Sequence, residues 1–304
     1  MQENEHLSVR PDKETVVSLI TRVLPDYLQI LEDCSNPITW RNLAQRFSEN
    51  IKRLKIENYV HLYEDEKRIP AALICAVMSK EEQAEFIAEI NAASPEEQQE
   101  ILREYGRPGG KWDQLSDEMF PEDAETQQQQ LEAFERLEGE ERTEAVKRGQ
   151  YLMGFFMAWL HDTLAVMVFG QRMTDLVPKA LAGDKSAYAL AVQVDKNLIH
   201  EHPGFKEIHQ KALTEGDTDF LEKVGYRLAA PVTRGPIRYA GVFVLFAMLE
   251  TMKWLDALRH REILDICDAA NLDRWQNRIE DENAITKCLQ KYRRYQKTGG
   301  VSMH

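Results

Sequence analysis

In the stretch Trp159-Leu160-His161-Asp162-Thr163-Leu164 an imidazole and a carboxylate sit side by side within an otherwise apolar run. Adjacent His and Asp on a rigid hydrophobic helix can ligate a metal ion in a drier pocket, where the ion lowers the pKa of bound water. His161 and Asp162 are therefore the first metal-site candidates. The structural alternative for the same pair is burial with each group satisfied by hydrogen bonds inside a helical bundle.

This apolar-apolar-His-Asp pattern resembles the core of the HD-type metal phosphohydrolases, which are all-helical. The resemblance spans about six residues, Trp159 to Leu164. It implies a metal-dependent hydrolase whose ligand set is completed by an upstream His and a downstream Asp. Asp195 is the downstream candidate. Upstream, no His occurs between Tyr63 and Leu160, and His61 is the nearest.

His200-Glu201-His202, with His209, is the densest grouping of imidazoles, and such a set can hold a divalent cation. Pro203 and Gly204 follow at once, which also suits a helix end facing water, where protonated His favours the C-terminal dipole. No H-E-x-x-H, G-x-S-x-G or P-loop occurs, so the zincin, α/β-hydrolase and P-loop NTPase readings are excluded at the motif level. No catalytic residue is assigned and no cofactor is expected.

Residues 286–297 hold five basic side chains and no acidic one. A helix over 282–297 places Ile285, Leu289 and Tyr292 on one face and Lys287, Lys291 and Arg294 nearly opposite, with Arg293 and Lys297 at the flank. It can dock through its apolar side and offer cations to phosphate, so Lys287, Lys291, Arg293, Arg294 and Lys297 are the nucleic-acid-binding candidates. Solvated cations favouring the C-terminal dipole are the plainer role for the same residues. The segment 262–270 reads as a supporting helix, but 271–281 is too long for the turn of a helix-turn-helix.

The elements that must position these groups are helices, because apolar residues recur at helical spacing and alternating runs are scarce. The expected fold is all-α, a bundle around two strongly apolar central helices, 151–170 and 239–249. The first is long enough to cross a bilayer, yet Asp162 near its centre favours a buried core helix, and no membrane partner is expected. A kinked helix or helix pair surrounds Pro25, a helix runs over 40–54, and capping boxes begin helices at Ser79 and Ser94. The one strand-like run is 59–63. Lys179-Ala180-Leu181 and Lys211-Ala212-Leu213 repeat at an offset of 32 residues, followed by Gly183-Asp184 and Gly216-Asp217, and read as two helical hairpins, with Gly ending one helix and Asp capping the next. The organisation expected is an N-terminal helical region 1–106, a linker 107–122 and a main bundle 123–304 with its basic C-terminal helix.

The 304 residues carry a formal net charge of -13, and it is unevenly spread. Residues 80–144 contain 20 Asp/Glu against 6 Lys/Arg; the remainder is nearly balanced. Such a field disfavours generic coating of nucleic acid, keeps the chain soluble, and can steer a basic partner protein. Cys34, Cys75, Cys267 and Cys288 are widely spaced and read as buried reduced thiols. With a polar stretch over 1–14, they point to the cytoplasm. The leading expectation is a non-enzymatic helical interaction protein, followed by a nucleic-acid-binding or regulatory protein, then an HD-like hydrolase.

Overall fold

The computed structural model describes residues 13–33, 59–66, 124–230, 240–272 and 279–297, with scattered positions between. Among them every regular element is helical and none is a strand, so the fold is all-α. The helices around 40–54 and after Ser79, the linker 107–122, Cys34 and Cys75 lie outside the described residues, apart from isolated positions. The Ser94 capping box is formed: Ser94 N–H donates to Glu97 Oε2 at 2.8 Å, and Glu97 N–H donates to Ser94 Oγ at 3.4 Å.

Helix α1 (Lys13–Asp33) runs through Pro25 as a single element and buries Ile20, Leu24, Tyr27 and Leu28 at helical spacing. A six-residue 3₁₀ turn follows at Tyr59–Glu64. This corrects the strand expectation. Val60 and Tyr63, which a strand would place on opposite faces, are both fully buried, as the three-residue repeat of a 3₁₀ turn dictates. Helices α2 (Ala124–Arg136) and α3 (Gly139–Phe169) come next.

The first half of α3 is largely exposed, but from Gly154 to Met167 it is almost wholly interior. Although α3 is long and apolar enough to cross a membrane, 72% of its apolar window is buried inside the fold. Its end is set by Gly170 at φ 64, whose N–H donates to the Val166 carbonyl at 2.9 Å. Helix α9 (Ala240–Thr251) packs against it, and Trp159 Nε1 donates to the Met248 carbonyl at 3.2 Å. Tyr27 from α1 meets Trp159 edge-on at 5.8 Å and donates its hydroxyl to the Phe156 carbonyl. The expected central pair is therefore present, with α1 packed on the same core.

Around this pair stand α4 (Met173–Leu181), α5 (Lys185–Val194), the short α6 (Leu198–Glu201), α7 (Pro203–Glu215), α8 (Thr218–Ala229), α10 (His260–Ala269) and α11 (Glu282–Lys297). The repeated Gly-Asp signals are turns between α4 and α5 and between α7 and α8. Gly183 and Gly216 both adopt positive φ; Asp184 caps Ser186 and Ala187, and Asp217 caps Phe220. The two copies also touch each other. Tyr188 and Phe220, at matching places in the repeat, meet at 5.1 Å, and Lys185 pairs with Asp217.

Candidate functional site

His161 and Asp162 are both buried in α3, yet they serve different neighbours. Successive helical residues diverge by about 100°, so the two side chains leave α3 in different directions. His161 Nδ1 lies 2.8 Å from the Tyr63 hydroxyl and 3.4 Å from Asp195 Oδ2. Asp162 faces Arg172, Thr251 and Thr174: Arg172 Nε donates to Oδ2 at 3.1 Å, Thr251 Oγ1 to Oδ2 at 2.7 Å, and Thr174 N–H to Oδ1 at 3.3 Å. Asp162 thus ties α3 to the start of α4 and the end of α9.

Asp195 does lie beside His161, but it is the centre of a closed hydrogen-bond array. Oδ2 accepts from Tyr59 at 2.7 Å and Tyr63 at 3.0 Å, and Oδ1 accepts from the backbone and side-chain amides of Asn197 at 3.0 and 3.1 Å. Burial pushes the Asp195 carboxyl up, but the charge and hydrogen bond of His161 and the donors around it win, and the group sits below its ordinary value. Burial, reinforced by the Asp195 charge, drives both tyrosines well above theirs, so they remain protonated donors. Chemically this is a satisfied anchor for the 3₁₀ turn.

The outer side of that turn carries a different constellation. In a 3₁₀ helix residues three apart eclipse one another. His61 and Glu64 accordingly stack, with His61 Nδ1 2.5 Å from Glu64 Oε1. His202 brings its Nε2 to 3.1 Å from the same oxygen. The three ligand-capable atoms lie within 4.8 Å of one another. Arg68 Nη1 occupies the other oxygen of Glu64 at 2.8 Å and also donates to the His61 carbonyl.

His202 leaves the group in which the sequence placed it. It is buried, not solvent-facing, because it ends α6 and begins α7 at once, with Pro203 as the first residue of the new helix. Burial holds its pKa below the ordinary imidazole value against the upward pull of Glu64. His200 and Glu201 are exposed, and His209, whose pKa burial also lowers, lies on α7. Sequence reading missed His61 and Glu64 as partners of His202; the i, i+3 spacing after a buried tyrosine was the available signal.

The basic candidates Lys287, Lys291, Arg293, Arg294 and Lys297 are all exposed on α11, while Ile285, Leu289 and Tyr292 are buried. Arg293 is engaged by Asp256 at 2.7 Å. On the opposite charge, α2 and the start of α3 expose Glu125, Glu132, Glu135, Glu138, Glu140 and Glu141. Compared with protein-family models, curated proteins and solved structures, the chain gives no match.

Proposed function

We propose that this is a cytoplasmic helical interaction protein that docks a basic partner protein on α2 and the first half of α3. One observation carries the reading. Phe134, Val146, Tyr151 and Met153 are 36%, 39%, 60% and 41% exposed on 124–153, a segment with seven Glu against four Lys/Arg. Large apolar side chains next to a glutamate excess supply what a partner surface needs: contact area from the former, steering and selectivity from the latter. The buried thiols of Cys267 and Cys288 suit a reducing compartment.

A site-specific photocrosslinker tests this in the producing cell. Placed at Phe134 or Tyr151 it is expected to give a discrete adduct with a basic protein, weakened by raised salt in lysate. Tyr226, equally exposed at 60% on α8, is the control position. Identical adducts at 151 and 226, or none at 134 and 151, would refute the proposal.

A second reading is favoured by the exposure of all five cations of α11: contact with a nucleic-acid backbone. Fluorescence anisotropy with labelled duplex and single-stranded DNA over a salt series tests it. A slope that flattens when Lys287, Lys291 and Arg294 become alanine supports it; no binding at low salt removes it.

A further inference from the structure

We propose that His61, Glu64 and His202 form a binding site for a divalent transition cation of the zinc type, with a solvent-facing fourth position. The donor set is chemically apt: two imidazole nitrogens and a carboxylate oxygen leave one coordination position for water. Bonds of about 2.0–2.1 Å in a tetrahedral shell separate neighbouring donors by roughly 3.3 Å. His202 Nε2 already stands 3.1 Å from Glu64 Oε1, and His61 Nδ1, at 2.5 Å, needs to retreat by less than an ångström. The side chains of His61 and Glu64 are part-exposed, 34% and 27%, so an ion can enter from solvent without opening the core.

The ligands are held from behind. Tyr59 and Tyr63 bind the 3₁₀ turn to Asp195, so the face carrying His61 and Glu64 is fixed with respect to the bundle. His202 is seated at the α6–α7 junction with its ring edge-on to Phe205 at 5.4 Å. Its Nδ1 has no hydrogen-bond partner among the described residues, which leaves Nε2 as the atom that fixes the ring. Arg68 takes Glu64 Oε2, so Glu64 presents Oε1 as a single ligand atom and its carboxylate plane is set. Binding requires each imidazole to turn an unprotonated ring nitrogen to the ion.

The test uses the full chain stripped with chelator, titrated with Zn²⁺ against a chromogenic competitor and separately with Co²⁺. One equivalent should bind, with cobalt giving the visible bands of a four-coordinate N/O site, and binding should raise the unfolding temperature. His61→Ala and Glu64→Gln, both at part-exposed positions, should each weaken binding at least about tenfold, the order of loss typical when metal-site groups are altered. His200→Ala, at an exposed neighbouring histidine, should leave it unchanged. Circular dichroism confirms that each variant is folded. Absence of stoichiometric binding by either ion overturns the proposal, as does affinity that survives in both His61→Ala and Glu64→Gln.

Discussion

The Tyr63 hydroxyl donates to Asp195 Oδ2 at 3.0 Å although the two residues stand 132 positions apart in the chain. This contact joins the 3₁₀ turn to the end of α5, with His161 of α3 at the same hydroxyl. Tyr63→Phe keeps the ring and its packing but leaves Asp195 and His161 short of a buried partner. The expected loss is about 1–3 kcal/mol in urea unfolding. Asp195→Ala takes the acceptor from both tyrosine hydroxyls and the carboxylate from beside His161, and should cost about 3–5 kcal/mol. Equal, small losses for both variants would show that the array is not the anchor described.

Asp195 also makes stability depend on pH with a defined sign. Its folded pKa lies below that of the unfolded chain, which is about 3.9. The unfolded state therefore takes up the proton first as pH falls, so the contribution is complete above about pH 4–5 and is lost as pH drops through the folded value. Asp195→Asn cannot take up that proton. Below about pH 5 the stability gap between wild type and Asp195→Asn should close as pH falls. A gap that widens below about pH 5 contradicts the charged, hydrogen-bonded carboxylate.

Asp162 makes a similar case for a different staple. Thr251→Val removes the 2.7 Å donor from Oδ2 while keeping shape, and should cost about 1–3 kcal/mol. Arg172→Met removes the cation from a carboxylate that is wholly buried and should cost more, about 3–5 kcal/mol. The reverse order would mean that the charge of Asp162 is compensated elsewhere.

Much of the architecture was legible because helical periodicity reports burial directly. The apolar run after Gln150, the helix over 240–251 and the Ile285/Leu289/Tyr292 face of α11 all lie where spacing placed them. The site was less legible for a physical reason. His61, Glu64 and His202 meet only because the 3₁₀ turn stacks residues three apart and His202 sits between two helices, and neither circumstance leaves a mark at helical period. His161 and Asp162, neighbours in sequence, diverge around α3 and are each hydrogen-bonded inside the bundle, the structural alternative stated for that pair. Asp195 could be nominated as a partner of His161, but not the tyrosines that complete its shell.

The echo between Gly183-Asp184 and Gly216-Asp217 becomes a statement about energy once the hairpins are seen to pack together. Tyr188 stacks on Phe205 at 4.6 Å and meets Phe220 edge-on, so the aromatic of each copy lies in the contact between α5 and α8. A double-mutant cycle over Tyr188→Leu and Phe220→Leu should return a coupling of about 0.5–1.5 kcal/mol, the range for aromatic pairs, that is insensitive to salt. The Lys185–Asp217 pair joins the same two turns at the surface, and its coupling should vanish at high ionic strength. If the aromatic cycle gives no coupling while the charged one persists in salt, the hairpins are held by something other than the ring contact, and the repeat reflects turn chemistry alone.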